Sequence, residues 1–85
     1  MPWDETRAKQ FGATLRRLRE ERGLSQESLA FRAGVTKNQL QLIEYGKSSG
    51  RRDAEGPSNP QLSTLIGFAD ILELSVSDLL AEAEL

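Results

Sequence analysis

The amino-acid sequence predicts an all-α fold of five helices. Apolar residues recur at helical spacing in five segments, glycines or capping residues separate these segments, and no run alternates as a half-buried strand would. A chain of 85 residues can bury one modest core. We therefore expect a single domain over residues 1–85, with a core between about 6 and 82.

The first helix is predicted over about residues 6–22. Phe11, Leu15 and Leu18 are spaced so that they share one face, which is the face expected to enter the core. Gly23 follows the last residue and favours the left-handed conformation that ends many helices.

Two shorter helices follow, separated by a glycine. Ser25 is the predicted N-cap of the second helix and Gly34 its end. Thr36 and Gln39 form a Thr-x-x-Gln capping box, so the third helix is predicted to begin directly after Val35 and to reach Tyr45, with Gly46 ending it. The sequence thus predicts two short helices that meet across a tight turn.

The segment 47–60 is polar and rich in glycine and proline, which predicts an extended loop between helices three and four. Helix four is predicted over about 61–73, and helix five begins after Ser75, with Asp78 three residues further on. The apolar face of helix four is expected to carry Leu62, Leu65, Ile66, Ala69 and Leu72.

The residue types exclude most catalytic and metal-binding chemistry. The chain contains no cysteine and no histidine, so thiolate nucleophiles, imidazole bases, disulfides and nearly all zinc sites are excluded. We therefore expect no enzyme activity, no metal and no cofactor. No signal peptide or membrane span is visible, which predicts a cytoplasmic protein. No site for a small-molecule effector is evident either.

The net charge of −2 conceals a strong division along the chain. Residues 1–52 carry all eleven Lys and Arg with six acids, a net charge of +5, whereas residues 53–85 carry seven acids and no base. A basic front with an acidic back would orient the molecule on a polyanion. Two well-solvated surfaces are the alternative interpretation.

The two short helices match the helix-turn-helix motif, whose second helix enters the DNA major groove. At about 100° per residue, Gln41, Tyr45 and Asn38 all fall within about 100° of Lys37 on the third helix. Asn and Gln amides can pair with the adenine edge, and Lys can donate to guanine. This face is suited to base contacts, although a polar face is also the ordinary solvent side of a small helix.

The sequence also resembles the Cro/repressor-type helix-turn-helix family, often called the XRE family, from Phe11 to Leu80. Five pieces stand in the family's order and near its usual spacing: LRRLREERGLSQESLA (15–30), GVT (34–36), Leu40 with IEYGK (43–47), NPQL (59–62) and the segment 72–80. The resemblance implies a lambda-repressor-like DNA-binding domain with its helix-turn-helix over 25–46. It implies double-stranded DNA as the partner.

The resemblance assigns DNA contacts to individual residues. It implies that Gln26 binds a phosphate and that Tyr45 and Lys47 contact the backbone beside the third helix. The residues that it assigns to base edges are Lys37, Asn38, Gln41 and Leu42. Leu42 stands where the family often has a polar residue, so this side chain either contacts a thymine methyl or extends the core.

The resemblance also implies a structural ion pair between Arg19 and Glu44. Glu44 falls about 340° from Lys37, between the core edge and the polar face, where an unpaired carboxylate would be costly. In the family this pair links helix one to helix three. We expect the pair in this chain to be at least partly buried.

The loop over 47–60 is longer than the family's usual connection, and it contains Arg51 and Arg52. In the family this region approaches phosphates or the minor groove, which gives these two arginines a possible backbone role. A solvated loop is the alternative. Because the insertion breaks the correspondence, no particular base contact is implied for either arginine.

We expect a sequence-specific DNA-binding transcriptional regulator that acts as a homodimer on two half-sites. The dimer contact that the resemblance implies includes helix five, with Val76, Leu79 and Leu80. The same fold also serves antitoxins that mask a toxin and adaptors that bind other proteins. The polar side chains at 26, 37, 38 and 41 favour DNA over these alternatives.

Overall fold

A computed structural model describes residues 3–47 and 56–85. Within these residues the chain forms five α-helices and no named strand, which confirms the all-α prediction. The helix ends lie within two residues of the predicted ends. The helices are α1 Glu5–Glu21, α2 Gln26–Ala33, α3 Lys37–Tyr45, α4 Leu62–Ile71 and α5 Val76–Glu82.

Local side-chain chemistry starts most of these helices. The Ser25 hydroxyl accepts the Ser28 backbone N–H at 3.0 Å and begins α2. The capping box of α3 is complete, because the Thr36 hydroxyl accepts from the Gln39 backbone while the Gln39 side chain accepts from the Thr36 backbone. Each such bond satisfies a backbone donor that would otherwise lack a partner at a helix start.

One hydrophobic cluster draws side chains from all five helices. The predicted inner face of α1 is confirmed, since Phe11 and Leu15 are fully buried and Leu18 is 3% exposed. The other buried members are Leu29, Ala30, Leu40, Ile43, Phe68, Ala69, Leu72, Leu79 and Ala83. Both α1 and α2 pack against α3, and α4 packs against α2, while the side of α3 that carries Lys37 and Asn38 is left uncovered.

The predicted inner face of α4 was partly wrong. Leu62 is 64% exposed and Ile66 is 45% exposed, whereas Phe68 is fully buried. Around an ideal helix, Leu62 lies about 120° and Ile66 about 160° from Phe68, so neither can share its burial. Because α4 is apolar on nearly every side, periodicity alone did not identify the buried face.

The two ends of the long loop are fixed beside the end of α3. Gly46 ends α3 in the left-handed conformation, with φ at 75°. Lys47 and Pro57 form an antiparallel bridge, and the Ser58 backbone donates to the Gly46 carbonyl at 3.1 Å. The Trp3 indole donates to the Ser58 carbonyl at 2.6 Å. The amino-terminal segment therefore braces the point at which the chain returns to α4.

The described residues lack two further features, a membrane-spanning helix and a cluster of metal ligands. Across 3–47 and 56–85, no helix combines the length and apolar character needed to cross a membrane. The same residues contain no group of three or more acidic side chains placed to hold a metal ion.

Candidate nucleic-acid interface

The outer face of α3 presents a group of polar side chains. Lys37 and Asn38 are exposed, Gln41 is half-buried, and Tyr45 at the end of the helix is 54% exposed. Leu40 and Ile43 point the other way into the core. The structure thus brings together on one surface the polar residues that the sequence singled out on this helix.

A buried ion pair fixes α3 against α1. The Arg19 Nε donates to Glu44 Oε2 at 2.8 Å, and Arg19 Nη2 donates to Glu44 Oε1 at 3.2 Å. The Arg19 side chain is 10% exposed and that of Glu44 is 1% exposed. Arg19 Nη1 donates to the Leu24 carbonyl at 2.9 Å. A two-point guanidinium–carboxylate contact sets both distance and orientation between the helices.

The same carboxylate holds a side chain of α2. Gln26 Nε2 donates to Glu44 Oε1 at 3.0 Å, which ties the first residue of α2 to α3. An amide nitrogen carries two N–H groups, so this bond leaves one of them for another acceptor. Glu44 therefore sets the direction of the Gln26 amide at the edge of the α3 surface.

Close backbone contact reinforces the ion pair. Gly12 of α1 packs against the carbonyls of Ile43 and Glu44, and a β-carbon built at Gly12 would lie only 2.5 Å from the Glu44 carbonyl oxygen. Only glycine allows this approach of two helices. The position of α3 is thus determined by backbone packing as well as by Arg19.

Two exposed ion pairs border the α3 surface. Arg16 Nε contacts Glu20 Oε1 at 2.9 Å, and Lys37 Nζ lies 3.4 Å from Glu27 Oε1. The hydrogen bond with Glu20 raises the pKa of Arg16, and the same bond lowers the pKa of Glu20 below its ordinary value. The bond thus favours the charged forms of both Arg16 and Glu20.

Leu42 and Lys47 lie toward the loop side of α3. Leu42 is half-buried and lines an open groove, together with Val35 and the segment 57–61. Lys47 is exposed one residue beyond the Gly46 cap, where the bridge to Pro57 holds its backbone. The predicted backbone-contact residues Arg51 and Arg52 lie outside the described residues.

The expected dimer residues divide into two groups. Leu79 is fully buried in the core cluster of its own chain, so it has no exposed surface for a contact between two copies. Val76 and Leu80 are half-buried and pack against the core cluster while keeping part of their surface exposed.

Glu27, Arg16 and Trp3 adjoin this surface, although no pattern in the sequence indicated it. The contacts of Glu27 with Lys37 and of Trp3 with Ser58 join residues 10 and 55 positions apart. No short-range pattern encodes such pairs. The negative charge of Glu27, at the second position of α2, was the only feature of the sequence that could have indicated its contact with Lys37. An acidic residue near the start of a helix is also favoured by the helix dipole, so this charge did not by itself predict the contact.

Comparison with known proteins places the chain in a family. A family model described as a helix-turn-helix domain matches residues 10–83. The crystal structure of the clp gene regulator ClgR from Corynebacterium glutamicum is similar, with a TM-score of 0.76 and 26% identity over 92% of this chain and 72% of that chain.

A second solved structure is that of the restriction-modification controller protein C.AhdI from Aeromonas hydrophila. It has a TM-score of 0.69 and 32% identity, and covers 85% of this chain and 94% of its own. A search of curated protein sequences found no match. The chain belongs to the helix-turn-helix domain family, of the Cro/repressor type that its sequence resembles.

Proposed function

We propose that this chain is a sequence-specific, double-stranded DNA-binding transcriptional regulator that inserts α3 into the major groove. The exposed polar face of α3, held rigidly on the core through Arg19 and Glu44, is the observation that carries the proposal. A helix of this length fits the major groove, where each base pair presents a distinct pattern of donors and acceptors. The regulators ClgR and C.AhdI, which share the fold, support it.

Base contacts are proposed for Asn38 and Gln41 first. Both carry amides that can donate and accept at once, which matches the N6 and N7 edge of adenine. Both lie on the uncovered side of α3, away from Leu40 and Ile43. Leu42, half-buried at the border, is placed to touch a thymine methyl with the part of its surface that remains exposed.

Backbone contacts are proposed for residues on either side of that face. Gln26 begins α2 and keeps one amide N–H after its bond to Glu44. Tyr45 and Lys47 flank the end of α3, with a phenol and an ammonium exposed. Phosphate contacts on both sides of the base-contacting residues would fix the register of the helix in the groove.

A homodimer is proposed because one domain of this size covers little DNA. Two copies on two half-sites add their contacts, which raises affinity over non-specific competition. Val76 and Leu80 on α5 keep some exposed apolar surface, and Leu62 and Ile66 on α4 expose more. These four residues form the proposed contact in place of Leu79.

Selection of bound duplexes from a random pool, repeated at rising salt, tests the proposed function. We expect one enriched sequence with two symmetric half-sites about 10 base pairs apart. Affinity for that sequence should fall steeply as salt rises, since each neutralised phosphate releases counterions. Enrichment of a single half-site would contradict the proposed homodimer but not DNA recognition. The absence of any enriched sequence would contradict DNA recognition.

One observation favours a second function, the binding of a protein partner. Phe31 is 86% exposed on α2, next to Arg32. An antitoxin or an adaptor of this fold could use such a side chain as an anchor. A single exposed apolar side chain is nevertheless ordinary on a protein surface. The polar face of α3 thus gives DNA the stronger support.

A further inference from the structure

A polar cleft lies where α1, α2 and α3 meet, at the edge of the α3 surface. Its volume is about 400 Å³, and it is open to solvent. All six residues that line it are polar or charged, and three of them are cations: Arg16, Arg19, Ser25, Gln26, Glu27 and Lys37. Convergence of cations from two helices on one cleft is a favourable arrangement for an anion.

The three cations differ in the donors that they have left. Every guanidinium nitrogen of Arg19 already has an acceptor, since Nε and Nη2 bond Glu44 and Nη1 bonds the Leu24 carbonyl. Arg16 uses only Nε, which bonds Glu20, and neither Nη1 nor Nη2 has a hydrogen bond to any described residue. The Arg16 side chain is 58% exposed. Arg16 therefore lines the cleft with a side chain whose two terminal nitrogens have no described partner.

The neighbouring Arg17 differs from Arg16 in its partners. Arg17 is also on α1 and also pairs with a glutamate four residues on, but its two terminal nitrogens both have partners. Nη1 bonds Glu21 and Nη2 bonds Glu82 of α5, each at 3.0 Å. Arg17 thus faces α5, whereas Arg16 faces the cleft.

Lys37 is held at the other side of the cleft by a weak contact. Its ammonium lies 3.4 Å from Glu27 Oε1, and the two side chains are 53% and 76% exposed. Exposed ion pairs of this kind contribute little to stability, so a competing anion can displace the carboxylate. The same holds for the pair of Arg16 and Glu20, whose side chains are 58% and 55% exposed.

We propose that this cleft binds one backbone phosphate of the DNA, with Arg16 and Lys37 as its cationic donors beside Gln26. A guanidinium fork matches two phosphate oxygens, and Lys37 supplies a compact second charge. In this proposal Lys37 contacts a phosphate of the DNA backbone, whereas the family resemblance assigned it to a base edge. The assignment rests on the proposed DNA-binding function and adds Arg16, a residue of α1, to the interface.

Glu27 limits the affinity of this site. Its carboxylate lines the cleft and is the partner of Lys37, so a phosphate must displace it and remain close to its charge. Removing that charge should strengthen binding. This opposing effect separates a phosphate site from a cleft that is only structural, because a loss of structure does not raise affinity.

Arg16→Gln and Arg17→Gln are the matched variants for the first test, on the duplex that the unmodified chain selects. Both remove one positive charge from an exposed position of α1, although Arg17 loses two exposed ion pairs and Arg16 only one. We expect Arg16→Gln to weaken binding about tenfold and to reduce the slope of log affinity against log salt by about 0.9. Arg17→Gln should change affinity less than about twofold.

Single methylphosphonate substitutions along the same duplex identify the phosphate. One neutralised position should weaken binding of the unmodified chain and of Arg17→Gln equally, and should weaken binding of Arg16→Gln clearly less, because only Lys37 and Gln26 then remain as donors. If both variants lose the same affinity at every position, the assignment of Arg16 is wrong even though the chain binds DNA. If the unmodified chain selects no sequence, the proposed function is what fails.

Glu27→Gln and Glu21→Gln provide the reciprocal test. Both remove one exposed carboxylate, but only Glu27 lines the cleft. We expect Glu27→Gln to tighten binding about threefold and Glu21→Gln to leave it within about 1.5-fold. Equal affinities for the two variants would overturn the role given to Lys37 and Glu27.

Discussion

Replacing Arg19 with alanine is expected to lower the free energy of unfolding by about 3–5 kcal/mol. Among the described residues, the change would leave the Glu44 carboxylate, only 1% exposed, with the Gln26 amide as its one remaining side-chain donor. It would also remove the donor to the Leu24 carbonyl. A buried charge without its counter-charge is costly because protein interiors solvate it poorly. Urea denaturation followed by circular dichroism measures the change.

Two control proteins make that result specific. Arg17→Ala removes an arginine from the same helix, but its pairs are exposed and should contribute less than about 1 kcal/mol. A double variant, Arg19→Met with Glu44→Leu, replaces both charges with apolar groups and should recover much of the stability lost in Arg19→Ala. An unfolding midpoint in Arg19→Ala equal to that of the unmodified chain would contradict the structural role of the pair.

Gly12→Ala is expected to destabilise the fold by about 2–3 kcal/mol, although alanine normally favours a helix. The added β-carbon would lie 2.5 Å from the Glu44 carbonyl oxygen, and backbone cannot move aside as a flexible side chain can. The steric cost exceeds the gain of about 1 kcal/mol in helix propensity. Relief of the clash requires α3 to move away from α1, so DNA affinity should fall as well.

Gly67→Ala is the matched control for that change. Gly67 is also inside a helix, but its added β-carbon would lie 3.2 Å from the Ala33 carbonyl oxygen, a contact that a small shift can relieve. We expect the free energy of unfolding of Gly67→Ala to lie within about 1 kcal/mol of that of the unmodified chain, because the gain in helix propensity and the cost of the tight contact nearly cancel. Equal stability of Gly12→Ala and Gly67→Ala would show that α1 and α3 are not in close backbone contact.

Features with local causes could be predicted from the sequence. The boundaries of α2 and α3 follow from Ser25, Thr36 and two glycines, each of which acts within four residues of its own position. The inner face of α1 was predicted for the same reason. In α4, where apolar side chains lie on nearly all sides, the spacing did not distinguish buried Phe68 from exposed Ile66.

Features that depend on how helices pack could not be predicted from spacing. The pair of Arg19 and Glu44 was expected only through the family resemblance. The bond from Gln26 to Glu44, the contact of Lys37 with Glu27 and the free end of Arg16 depend on where three helices meet. For that reason the polar face of α3 was predicted, but the side-chain contacts at its edge were not.

The orientation of α3 is tested most directly by repeating the duplex selection with Gln41→Ala and with Lys47→Ala. We expect Gln41→Ala to cost about 1–3 kcal/mol of binding free energy and to relax the preference at one base pair of each half-site. Lys47→Ala should keep every base preference, weaken all sequences alike and lower the salt slope by about 1. An unchanged preference in Gln41→Ala, or an altered one in Lys47→Ala, would contradict the proposal that α3 contacts bases with Lys47 beside it on the backbone.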